Sequence, residues 1–194
     1  MSKSDPSVSR KERNKTIRWV VTIFFVTIFV SGTISFASDA IMAGSTMLVA
    51  FIILLTIVLI GILFDVIGVA VTSADEKPFH SMAARKVPGA QEAIRLLRNA
   101  ERVSSICNDV VGDICGVVSG SASATIAAQI LNNFEFSWSQ VVPLMMSALV
   151  AGLTVGGKAI GKTFAMNSCT VIVHSVGKII WAFSHLPQNK KKRT

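Results

Sequence analysis

Residues 46–72 decide the fold, and they read TMLVAFIILLTIVLIGILFDVIGVAVT. Asp65 is the one charged side chain in this stretch. About 20 apolar residues suffice for a helix to cross the hydrocarbon core of a bilayer. The composition of the whole 194-residue chain agrees, since 51% of the residues are hydrophobic, only 15% are charged and the mean hydropathy is +0.58. The stretch therefore predicts a transmembrane helix in a membrane protein.

Three further stretches have the length and composition of spans, at residues 17–37, 103–131 and 141–166. Together the four predict an all-α membrane protein, with a basic segment at 1–16, an additional first helix, a body at 46–187 and a basic tail at 188–194. Two amphipathic patterns predict interfacial helices, one opened by Pro88 between the second and third spans and one at the C-terminus. Their apolar stripes comprise Ala90, Ala93, Ile94, Leu97 and Ala100 in the first, and Ile172, Val176, Ile179, Ile180 and Phe183 in the second.

The Lys and Arg residues predict the orientation. Six precede or open the first span, six lie between the second and third, and seven lie from Lys158 onward, whereas the loops around Asp39 and Glu135 contain none. Because positive residues are retained on the cytoplasmic side, this distribution predicts a multi-pass protein of the cell membrane with both termini cytoplasmic. The basic tail predicts contact with anionic lipid rather than with nucleic acid.

The first span has a second interpretation, a cleaved signal peptide, because Ser35 and Ala37 offer a small-x-small cleavage site. Its apolar run is longer than the core of about 7–15 residues that such peptides have, which favours a retained helix. Both interpretations stay open at this point.

The ionisable residues inside the spans are the candidates for function: Asp65, Asp109, Asp113, Lys158 and Lys162. At about 1.5 Å of rise per residue, Asp65 and Asp109 lie about 12 and 10 Å from the cytoplasmic boundary, and Asp113 about 16 Å. Charges at such depth are unfavourable unless they are paired or face water. We expect either an ion-binding crevice between helices two, three and four or a structural Asp–Lys pair.

Glycines accompany these acids in the third span, at positions 112, 116 and 120. This small-xxx-small spacing allows helix backbones to approach closely in lipid. Among the observations made on the residues themselves, this glycine spacing is the one that favours a homodimer.

One motif suggests an enzyme, because residues 156–163, GGKAIGKT, match the phosphate-binding pattern G-x-x-x-x-G-K-[ST]. That loop requires a preceding strand and an acidic residue from a second strand, and the stretch instead follows a bilayer-length apolar run. We predict no enzyme activity and no cofactor.

Three stretches resemble the transmembrane domain of the cyclin M and CorB/CorC family of magnesium transporters. They are FDVIGVAVTS at 64–73, AIRLLRNAER at 93–102 before Asn108, and GKAIGKTFA at 157–165. The family patterns are F-S-G-S-E-T-A-L, A-x-x-L-L-x-N-P-E-R before I-G-N-N, and G-E-x-x-P-K-S-x-A. We expect no regulatory nucleotide-binding pair of the kind that is usual in the family, since only eight residues follow Leu186.

The resemblance implies a dimer that transports Mg²⁺, with the ion held by hydroxyl, Asn and Glu oxygens between the helices. Asn108 matches the family's Asn, whereas Asp65 replaces its Ser, Gly68 stands where a Glu is usual and Lys158 replaces the ligand Glu. An ammonium group cannot coordinate a cation.

Two hypotheses follow from these departures. In the first, the chain is an ion carrier whose metal ligands are Asp65, Asn108, Asp109 and Asp113. In the second, Lys158 takes the place of the bound cation in a non-transporting membrane scaffold or regulatory partner.

Overall fold

The computed structural model of the protein describes residues 6–133 and 140–184. Within these ranges the chain is helical and no residue lies in a strand. In chain order the helices are α1 (Pro6–Ala43), α2 (Met47–Ser73), α3 (Lys77–Ala84), α4 (Ala90–Arg98), α5 (Ala100–Ser105), a π-helical segment (Ile106–Gly112), α6 (Asp113–Asn133), α7 (Val141–Asn167) and α8 (Cys169–Ser184). The basic tail and the loop around Glu135 lie outside the described residues.

Four stretches are long and apolar enough to cross a membrane: Ile17–Met42, Met47–Ser73, Ala100–Asn133 and Val141–Asn167. They confirm the predicted all-α membrane class with four transmembrane helices. The third combines α5, the π segment and α6, and it begins three residues earlier than the sequence predicts. Helix α8 is a shorter apolar helix, as predicted.

Helix α2 lies at the centre of the bundle, against both α6 and α7. Toward its start, the core consists of Ala50, Leu54, Val58, Ala122, Ile126 and Val150, which are almost completely buried. Helix α1 joins this core through Met42 at its own C-terminal end. There Gln129 Nε2 donates a hydrogen bond to the Met42 carbonyl oxygen at 3.2 Å. Most large apolar residues earlier in α1, such as Phe29, are exposed, which suits contact with lipid.

Glycines on α7 bring it close to α2. A methyl group at Gly157 would overlap the side chain of Ile62, and one at Gly161 would lie 2.7 Å from Val66 Cγ2. Small residues four positions apart permit such close packing of helices in lipid. All three glycines of the apparent phosphate-binding motif thus lie inside one continuous helix, and two of them, Gly157 and Gly161, serve helix packing.

The opposite end of the bundle, where Ser73, Ala100 and Asn167 lie, carries the connection between the second and third spans; we call it the basic end. Helix α3, which the sequence does not predict, begins just before Pro78 and buries Phe79 completely. The core of the basic end consists of Ala70, Val71, Phe79, Ala93, Leu97, Ala165 and Val173.

Helix α4 packs against α8 with the apolar stripe that the sequence identifies. Ala90, Ala93 and Leu97 are buried. The stripe therefore contacts protein, whereas the sequence pattern alone predicts that it lies on the membrane interface. Helix α8 buries Val173 and Gly177 and leaves large apolar residues exposed near its end, including Ile179, Ile180 and Phe183.

Candidate ion site between the second, third and fourth spans

An ion pair joins α2 to α7 within the spans. Lys158 Nζ lies 3.7 Å from Asp65 Oδ1, and the two side chains are 30% and 17% exposed. A charge-assisted hydrogen bond between such groups is about 2.8 Å long, so this contact is a loose ion pair. It satisfies the requirement that charges at bilayer depth be paired.

Gly112 of the third span leaves room for the ammonium group of Lys158. A methyl group at Gly112 would lie 3.4 Å from Lys158 Nζ, so the ammonium group rests against the backbone of this span. The pair therefore lies where all three spans meet, because Asp65 comes from α2, Lys158 from α7 and Gly112 from the third span. Of the three acids in the spans, Lys158 thus reaches Asp65.

Asn108 lies one helical turn nearer the basic end. Its Nδ2 donates to Ser104 Oγ at 3.2 Å, while its Oδ1 is buried and has no hydrogen-bond partner among the described residues. The side chain lies directly against Gly68 of α2, where a methyl group would overlap Oδ1. A buried acceptor without a donor is unfavourable by about 1–3 kcal/mol, and such groups often mark a site that binds water or an ion.

Both Asn108 and Gly112 belong to the π-helical segment Ile106–Gly112. Single π turns inside α-helices are rare and occur frequently at functional sites, because they change the direction in which side chains point. The irregular backbone coincides with the residues that face Asp65, Gly68 and Lys158.

Asp109 and Asp113 are both exposed, unlike Asp65 and Asn108. Asp109 accepts a hydrogen bond from Ser105 at 2.7 Å on its own helix. The structure thus pairs Asp65 with Lys158 and places Asn108 against Gly68, about one helical turn from that pair along the spans. The other two predicted ligands, Asp109 and Asp113, are exposed.

The glycine series of the third span divides in the same way. Gly112 contacts Lys158, whereas Gly116 and Gly120 have open space where a side chain would lie. These two glycines therefore do not pack against another described helix of this chain. The predicted homodimer stays a prediction.

The chemistry available at the site is that of oxygen ligands. Within residues 6–133 and 140–184, no group of three or more His, Cys, Asp or Glu side chains is placed to hold a metal ion. Asp65 offers a carboxylate and Asn108 a carboxamide oxygen, about one helical turn apart along their spans, roughly 5 Å. Such a pair suits a hydrated ion that keeps most of its water ligands better than a bare ion in a protein cage.

Sequence reasoning missed two participants, Ser104 and the close contact at Gly68. The signal for Ser104 was its position four residues before Asn108, where helical side chains meet. For Gly68, the sequence noted only that a family Glu was absent, and the space that a glycine provides for a neighbouring side chain has no sequence signature.

Comparison with family models, curated proteins and solved structures finds no match to this chain. What the fold and the site establish is therefore a class, a multi-pass membrane protein with four candidate spans.

Proposed function

We propose that this protein binds and carries a cation at the polar site formed by Asp65, Asn108 and Lys158. In this proposal Asp65 and Asn108 supply oxygen atoms to the ion. When no ion is bound, the ammonium group of Lys158 neutralises the carboxylate of Asp65. The observation that carries the proposal is the buried Asn108 Oδ1 atom, which lacks a partner one helical turn from a loosely paired carboxylate.

Several features support exchange between Lys158 and an ion. The 3.7 Å separation leaves the carboxylate oxygens of Asp65 without a direct hydrogen bond from Lys158. The long apolar stem of a lysine lets its ammonium group swing toward the aqueous boundary. A divalent ion carries twice the charge of the ammonium group, so at equal distance it is attracted twice as strongly by Asp65.

We infer Mg²⁺ as the cargo from the family resemblance together with the ligand chemistry. Mg²⁺ prefers oxygen ligands, loses its water reluctantly and is usually bound by one or two carboxylates with several waters retained. One carboxylate and one carboxamide fit this description. The distribution of Lys and Arg supports an orientation with both termini, and hence the basic end, in the cytoplasm.

A second candidate function is a non-transporting scaffold or regulatory partner, in which Lys158 replaces the ion permanently. The observation that favours it is the same ion pair, because Lys158 neutralises Asp65 and fills the space over Gly112. The two candidates differ in one respect: a carrier must release Lys158 from Asp65, and a scaffold must not.

Flux measurements on the purified protein in liposomes test the proposal, with an entrapped Mg²⁺ indicator and an imposed Mg²⁺ gradient. The carrier proposal expects Asp65→Asn to abolish uptake. It expects Lys158→Met to lower the Mg²⁺ concentration needed for half-maximal uptake, because the competing ammonium group is gone. Asp113→Asn is the matched control, since it removes an exposed carboxylate from a neighbouring span, and it should transport like the native chain.

Uptake that is equal in the native chain and in Asp65→Asn would refute the carrier proposal. Uptake that appears only in Lys158→Glu would support the scaffold, because the native ammonium group would then be what prevents transport. Each variant is also checked for its melting temperature, so that loss of uptake is separated from loss of fold.

A further inference from the structure

A cavity of about 250 Å³ lies at the basic end, away from the proposed ion site. It forms where the turn between α3 and α4 meets the second half of α8. The side chains and backbone that line it include Lys86, Pro88, Gly89, Gln91, Glu92 and Trp181. The lining therefore combines a cation, an anion, an amide and an indole ring in one small space.

The wall on the α4 side is fixed in place by contacts with α8. Gly89 adopts a left-handed backbone conformation, with φ +83°, and its carbonyl oxygen lies so close to Gly177 that a methyl group there would overlap it. His174 Nε2 donates a hydrogen bond to the Pro88 carbonyl oxygen at 3.3 Å. The cavity is thus bordered by a turn that two neighbouring contacts hold against α8.

The two charges of the cavity point to a ligand with both signs. Among the described residues, neither Lys86 nor Glu92 takes part in an ion pair, with the other or with a third group. Two opposite charges that line one cavity without pairing complement a ligand that carries one negative and one positive group. A purely anionic ligand would be repelled by the carboxylate of Glu92, and a purely cationic ligand would be repelled by the ammonium group of Lys86.

The last turns of α8 expose apolar side chains next in sequence to Trp181. Ile180 and Phe183, one helical turn apart on α8, are 40% and 73% exposed. Tryptophan is enriched at the boundary between lipid and water, where its ring meets both apolar and polar groups. Helix α8 follows directly after the end of the fourth span, so this apolar surface lies next to the bilayer boundary.

From these four features we propose that the cavity binds the headgroup of a phosphoethanolamine lipid. Lys86 contacts the phosphate, Glu92 accepts hydrogen bonds from the ammonium group, and the acyl chains run along Ile180 and Phe183. A phosphocholine headgroup has the same charges but no N–H group to donate to Glu92. A phosphoglycerol headgroup lacks the positive charge altogether.

Lipid titration of the detergent-purified full chain tests this proposal. Replacing Trp19 and Trp138 by Phe leaves Trp181 as the reporter, and short-chain ethanolamine, choline and glycerol phospholipids are compared by its fluorescence. We expect saturable binding of the ethanolamine lipid, about tenfold tighter than either of the others, which corresponds to one charge-assisted hydrogen bond or one ion contact. Water-soluble phosphoethanolamine, which lacks acyl chains, should bind at least tenfold more weakly than the lipid.

Charge-removing variants inside and outside the cavity distinguish binding at the cavity from a general effect of protein charge. Lys86→Gln and Glu92→Gln should each weaken binding of the ethanolamine lipid about tenfold. Lys162→Gln and Glu101→Gln remove the same charges from exposed positions at the basic end outside the cavity, and they should leave binding unchanged. Equal affinity for the three lipids, or equal weakening by the control variants, would overturn the proposal. Tight binding of phosphoethanolamine without acyl chains would overturn the assignment to a lipid.

Discussion

Replacing Gly177 by alanine should separate α4 from α8. A methyl group at this position would overlap the carbonyl oxygen of Gly89 and would lie 3.1 Å from the amide nitrogen of Ala93. These two atoms are joined by the hydrogen bond Ala93 N–H to Gly89 O, 2.9 Å long, at the start of α4. The methyl group therefore meets backbone atoms, which cannot rotate away as a flexible side chain can.

The expected magnitude follows from two opposing effects. Overpacking costs about 1–3 kcal/mol. Alanine in place of glycine inside a helix contributes about 1 kcal/mol of stability. Because the overlap is with backbone, the upper part of the overpacking range applies, and the net loss in the free energy of unfolding should be about 1–2 kcal/mol.

Thermal unfolding of the purified protein in one detergent measures this loss, which should lower the Tm by about 2–8 °C for a chain of this length. Gly156→Ala is the matched control, because Gly156 lies in a helix and has open space where the methyl group would go. The control should keep or raise the Tm. If Gly177→Ala melted at or above the native temperature, the close contact between α4 and α8 would be refuted.

Two further predictions concern the ion site. Lys158→Met should lower the free energy of unfolding by about 1–3 kcal/mol, less than for a fully buried pair, because it leaves the carboxylate of Asp65 without a partner. Adding Asp65→Asn should restore most of the loss, which a double-mutant cycle of melting measurements detects; additive losses would contradict the pairing. Gly68→Ala should displace the Asn108 side chain and reduce Mg²⁺ uptake in liposomes severalfold. Gly116→Ala, with open space around it, is the control, and equal uptake in the two variants would contradict the role of Asn108.

The number and positions of the spans were predictable from the sequence because they depend on composition over about 20 residues, and composition needs no tertiary information. The starts and ends were less predictable. The third span begins at Ala100 because its first turns pack against α2 at the basic end, although they carry charged residues such as Glu101 and Arg102.

The direction that each polar residue faces was not predictable. A regular helical spacing places Asp109, Gly112, Asp113, Gly116 and Gly120 on one face of the third span. In the structure Gly112 meets Lys158, and the others are exposed. The π segment changes the number of residues per turn at this point. No local pattern in the sequence predicts this segment.

The ion pair of Lys158 was predictable in part. A structural Asp–Lys pair was one of the two expected arrangements, and the structure shows that Asp65 and Lys158 form such a pair. The close approach of α2 and α7 depends on Gly157 and Gly161, which lie in the stretch that the sequence matched to a nucleotide-binding loop. The same glycines can also serve helix packing, and only the helical backbone around them distinguishes this role from phosphate binding.

Helix α1 packs mainly against α6 and only slightly against α2. Ser38 and Met42 are its buried residues among those described, and Gln129 forms its hydrogen bond to the third span. The ion pair of Asp65 with Lys158 and the contact of Asn108 with Gly68 involve no atom of α1. A shortened chain that begins near the start of α2 should therefore keep these contacts.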